Sequence, residues 1–136
     1  MIREYSLESI LSGSTALYQK YNKLSNLTKE LLKKSVDFGL ENNIAINNPN
    51  MEEYRYAVLG PNSRGERVER NFVLIRPLVN ELSFHIWRNE YKVDLKNLNY
   101  STVGHNGPDW IVLKADTEKT MDIIFEIILE LYKNAY

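Results

Sequence analysis

Apolar and polar residues alternate most regularly at residues 82–87, where Leu82, Phe84 and Ile86 interleave with Ser83, His85 and Trp87. A period of two is that of a strand with one face buried. The apolar set is expected to face a helical layer, and Ser83, His85 and Trp87 to face water or a ligand. Just upstream, residues 71–76 form a run of β-branched and aromatic residues that ends at Pro77. Proline has no N–H to give to a ladder, so the strand is expected to stop there. Residues 70–88 therefore predict two strands and a tight turn. In the first of them Phe72 and Leu74 compete with Val73 and Ile75 for the buried face, which predicts a central position.

Helical spacing dominates the lead. Ser6 is placed to cap a short helix carrying Leu7, Ile10 and Leu11 that stops at Ser12 and Gly13. Ser14 can cap a second helix with Leu17, Tyr18 and Tyr21 on one side. Ser25-Asn26 reads either as a new cap or as a polar step in a longer helix. From residue 27 to about residue 40 the spacing is helical, with Leu24, Leu27, Leu31 and Phe38 in a stripe beside Leu32 and Val36. Lys29, Lys33, Lys34 and Asp37 fall mainly off that stripe, as a solvated face would.

The asparagines at 42–43 and 47–50 are turn chemistry, with a short extended piece expected at residues 44–46. Residues 54–59 read as a strand and residues 60–66 as a loop. A turn at Asn89-Glu90, a short strand at residues 91–95 and an irregular connection over residues 97–108 follow. Gly104 or Gly107 is expected to take a positive φ in that connection. Residues 110–114 read as another strand. Asp116 or Thr117 then caps a last helix in which Met121, Ile124, Phe125, Ile128 and Leu131 share a face. The expected fold is α+β: a mostly antiparallel sheet of four or five strands, N-terminal helices, and a long C-terminal helix on one face. The lead helices need the sheet to bury their stripe, so residues 1–136 are read as one domain, with a helical lead over 1–43 and the sheet plus last helix over 51–136.

Composition narrows the function classes. A formal charge of -1 gives the whole chain no strong pull toward nucleic acid or anionic lipid. The charge is uneven, however: Arg64, Arg67, Arg70, Arg76 and Arg88 crowd the sheet region. The absence of cysteine removes disulfides and thiolate chemistry and fits a reducing compartment. No apolar run approaches the ~20 residues of a membrane helix, and residues 1–6 lack an apolar signal core. A cytoplasmic chain with no membrane partner is expected.

The candidate chemistry lies in and around the hairpin. Arg55 and Arg76 supply planar guanidinium forks suited to phosphate or carboxylate. His85 shares a strand face with Trp87, and a His beside a Trp can stack on or hydrogen-bond a planar ligand; more often it is a partly exposed packing residue. Trp110 adds a second indole. The arginines read either as part of a basic and aromatic surface or as an ordinary surface neutralised by Glu66, Glu69 and Glu90. Two histidines without cysteine are a poor metal set, and no metal ligand is assigned. No phosphate loop, dinucleotide fingerprint, nucleophile elbow or carboxylate pair is present, so no cofactor and no catalytic residue are assigned.

The stretch Gly104-His105-Asn106-Gly107-Pro108-Asp109-Trp110 resembles a loop of roughly Gly-His-Trp-Gly-Asn-Gly-Asp. That loop belongs to an uncharacterised prokaryotic family of small C-terminal domains often labelled "predicted transport protein". Asn71-Phe72, Pro77, residues 82–87 and the closing Leu-Tyr-Lys-Asn-Ala-Tyr look like further elements of the family. The resemblance covers about residues 24–136. Gly104, His105, Gly107 and Asp109 match, while Asn106 stands where the family has Trp. The resemblance implies a sheet, then this loop, then a final helix, and an accessory role near nucleic acids or defence systems. It adds His105 to the candidate ligand-binding residues. The residues and the resemblance together lead to a non-enzymatic module that binds an anionic small molecule or single-stranded nucleic acid, in defence or anti-defence. A protein-interaction or homo-oligomerisation domain is the alternative, and a small enzyme using His105 is the third reading.

Overall fold

A computed structural model of the chain describes residues 6–61, 64–87, 94–104 and 109–135. Three helices lead: α1 (Leu7–Ser12), α2 (Thr15–Tyr21) and α3 (Asn26–Glu41). Ser6, Ser14 and Ser25 each accept a backbone N–H three residues on, so serine stops and restarts the chain as the sequence predicts. Six strands follow: β1 (Ala45–Asn47), β2 (Tyr54–Pro61), β3 (Arg67–Leu78), β4 (Glu81–Trp87), β5 (Ser101–Gly104) and β6 (Asp109–Ala115). The last helix is α4 (Glu118–Ala135), with Thr117 Oγ1 accepting the Thr120 N–H at 3.1 Å. Every neighbouring pair of strands is antiparallel, in the order β1-β2-β3-β4-β6-β5. The fold is α+β, and β3 is central, as its two-sided apolar pattern requires.

One face of the sheet belongs to α3 and α4. Phe38 of α3 stacks on Phe125 of α4 with centroids 4.0 Å apart, and Phe84 of β4 meets Phe125 edge-on at 6.3 Å. Leu82, Phe84 and Ile86 are buried on this side. α3 is also bonded to the sheet. Ser35 Oγ donates to the Leu32 carbonyl at 2.6 Å and is joined to the Tyr54 hydroxyl, while the Tyr56 hydroxyl donates to the Ser35 carbonyl. A serine hydroxyl has one proton, so Tyr54 is the donor in its pair. At its start α3 holds the hairpin turn: Ser25 N and Thr28 Oγ1 both donate to the Val79 carbonyl, at 2.9 and 3.1 Å.

A bulge decides which side chains β3 buries. Tyr56 pairs with Val73 but Ala57 pairs with Asn71, which leaves Phe72 as the extra residue. Phe72 and Val73 are both fully buried, and Phe72 lies against Tyr56 and Tyr132. Asn71 is thereby moved to the opposite face from Val73.

Several expectations are corrected. The sheet has six strands rather than four or five. β3 runs past Pro77, which pairs with Leu82. The β2 pairing has already ended at Ile75, so at Pro77 the strand has one neighbour and the missing donor leaves one side of the ladder unharmed. β5 arises inside the stretch read as irregular, because pairing with β6 organises residues that carry no pattern of their own. Gly104 belongs to that strand and has no positive φ; Gly107 lies outside the described residues. The turn at Asn89-Glu90 and most of the strand expected over 91–95 also lie outside them, and residues 94–95 are not in a strand. Leu27 is 43% exposed rather than part of the buried stripe, since Thr28 takes the inward position beside the Val79 carbonyl. Ser83 is buried rather than facing water.

Phe84→Ala is expected to cost about 3–5 kcal/mol, because it empties the junction of both helices with the sheet. Ser35→Ala is expected to cost about 1–3 kcal/mol, because it strips the Tyr54 hydroxyl of a buried acceptor. Urea midpoints at unchanged slope are the measure; an unshifted midpoint for Phe84→Ala would mean that the faces of β4 are reversed.

Candidate functional site

The other face of the sheet carries the polar and aromatic residues in rows set by strand register. The central row crosses all six strands: Asn47, Arg55, Leu74, His85, Val112 and Ser101. Toward the hairpin turn the next row holds Arg76, Ser83 and Lys114. Toward the far end it holds Trp87, Trp110 and Val103. The strand alternation thus brings Arg55, Arg76, His85, Trp87 and Trp110 onto one face. His105 lies outside the described residues.

The arginine end is organised by a residue that sequence reasoning did not single out. The Glu53 carboxylate is 5% exposed and sits between two guanidiniums, with Oε1 at 3.3 Å from Arg55 Nη2 and 3.7 Å from Arg76 Nη2. The signal was available: Glu53 precedes Arg55 by two residues, and in an extended chain that puts both on one side. Arg55 Nη2 also lies 3.5 Å from Met51 Sδ. The Nε atoms of both arginines are buried without a hydrogen-bond partner. Two cations share one carboxylate, so this cluster keeps a net positive charge. Lys114 pairs with Glu81 at 3.6 Å across the neighbouring strands.

The far end is aromatic. The Arg70 guanidinium lies over the Trp87 ring, 5.5 Å from its centroid, in cation–π contact. Arg70, Asn71, Trp87 and Trp110 line an open cleft of about 320 Å³. Asn71 is held there by the bulge and accepts a hydrogen bond from Asn47 Nδ2 at 3.2 Å. Trp87 and Trp110 are the only tryptophans of the chain. Among the described residues no group of His, Asp or Glu is placed to hold a metal ion, and no helix is long and apolar enough to cross a membrane.

Comparison with known proteins gives no matching family model, curated protein or solved structure. The chemistry of this face must therefore be read from its own residues. Along β4, Trp87 and Ser83 are four residues apart, or about 13 Å at the usual strand rise, so the face is a track with an aromatic end and a cationic end.

Glu53→Gln is expected to lower stability by about 1–2 kcal/mol. Removing the carboxylate leaves two neighbouring guanidiniums facing one another; the penalty is reduced because the Arg76 side chain is 41% exposed and water screens it. The effect should shrink as salt rises. A midpoint in urea equal to that of the unaltered chain, at low and high salt alike, would show that Glu53 does not hold the arginines together.

Proposed function

We propose that the open face binds an anionic ligand carrying a planar ring, a nucleotide or a segment of nucleic acid, without chemical conversion. The observation that carries this reading is the cleft of Arg70, Asn71, Trp87 and Trp110, with a guanidinium already stacked on an indole. Indole faces accept any base by stacking, and an adjacent guanidinium supplies a phosphate partner. Asn71 offers an amide to the edge of the ring. The charge of the rest of the face points the same way. Arg55, Arg76, Arg70 and Lys114 stand on or beside it, against the carboxylates Glu53 and Glu81. The resemblance of residues 104–110 to a family of accessory domains agrees with a role beside nucleic acids, in defence or anti-defence.

Both tryptophans line the cleft, so intrinsic fluorescence reports on it directly. Titration with nucleoside monophosphates and short single strands at two salt concentrations should quench that fluorescence, with affinity falling as salt rises. Trp87→Ala should weaken binding by about tenfold or more, within the ~1–3 kcal/mol that one stacked base contributes. No binding by any of these ligands, together with a stable dimer that Trp87→Ala dissociates, would assign the face to protein interaction instead.

A further inference from the structure

The geometry points to an extended single strand of at least two nucleotides, rather than a lone nucleotide, as the ligand of the open face; this rests on the reading above. The aromatic row holds Trp87 and Trp110, and the unshared positive charge of the cluster around Glu53 belongs to Arg55 and Arg76. Arg55 stands one row from Trp87, two residues along the strand direction, and two strands aside. With a rise of about 3.4 Å per residue and about 4.8 Å between strands, that is about 12 Å between backbones. Arg76 stands two rows away and one strand aside, about 14 Å from Trp87 by the same spacings. A mononucleotide separates its phosphate from its own base by a single sugar. A base stacked in the tryptophan cleft therefore places its own phosphate beside Arg70, not at Arg55 or Arg76. Only the next phosphate along a chain reaches those two.

The surface between the two ends suits a backbone passing over it. Leu74 and Val112 in the central row are apolar and buried, and the half-buried His85 lies between them by register. No acidic side chain of the described residues occupies that row. At the arginine end Glu53 is buried and shared by two guanidiniums, and Glu81 is paired with Lys114. Charge complementarity thus selects a polyanion that carries rings, and a free anion or a single nucleotide would use only part of the face.

The test compares one nucleoside monophosphate with a tetranucleotide of the same base, each titrated against tryptophan fluorescence over a range of salt. The tetranucleotide should bind at least tenfold more tightly, beyond the roughly fourfold that four equivalent bases give by statistics alone. Its log affinity should also fall more steeply with log salt, by about 0.7 for each added phosphate contact. Arg76→Gln should reduce the tetranucleotide slope by about 0.7 and leave the monophosphate unchanged, and Arg76→Lys should restore the slope. If Arg76→Gln lowers the melting temperature, Lys114→Gln on the same row serves in its place, since the Lys114 side chain is 52% exposed beside Glu81. Equal affinity and equal slope for the two ligands would overturn the extended strand and leave the nucleotide reading standing. A tighter tetranucleotide whose slope ignores both substitutions would overturn the path toward the arginine row. Failure of both ligands to bind would remove the nucleotide reading itself.

Discussion

The contact between α3 and β2 at Ser35 is the constraint on which the rest of this structure depends. Two tyrosines, Tyr54 and Tyr56, point from one strand into the same turn of helix and spend their hydroxyls on Ser35. A buried hydroxyl without a partner is costly, so only one rotation of α3 over the sheet is acceptable. That rotation sets Phe38 against Phe125 and so fixes where α4 lies. The second grip, on the Val79 carbonyl, stops the helix from swinging about the first. With both helices committed to one face, the other face is the one on which the arginines, His85 and the tryptophans stand.

The bulge at Phe72 connects this packing to the candidate site. Without it, Asn71, Val73 and Ile75 would share a face by simple alternation. The extra residue lets Phe72 join Val73 in the core and turns Asn71 outward, into the cleft with Trp87 and Trp110. The same local event thus fills the core and furnishes the cleft. Bulges are frequent beside functional sites because they re-aim one side chain without disturbing the strands around it.

Glu53 plays the corresponding part at the other end of the face. Two guanidiniums placed close together repel, and one carboxylate between them makes the arrangement stable while leaving a net positive charge. Buried and paired in this way, Glu53 acts as a support for the arginines and not as a competing anion on the surface.

Most of the elements are written in local patterns of the sequence. Serine caps, helical stripes and the alternation at residues 82–87 are local signals, and each depends on only a few neighbouring residues, so the α+β class and the common face of Ser83, His85 and Trp87 were legible. The tertiary structure decided what depends on partners distant in the chain. β5 exists because β6 supplies its ladder, and Pro77 stays within β3 because β2 has already ended beside it. The meeting of Glu53 with Arg76 and of Arg70 with Trp87 follows from the pairing of three strands and one bulge. No periodicity encodes those meetings, because register across a sheet is settled by the packing of its buried face as a whole.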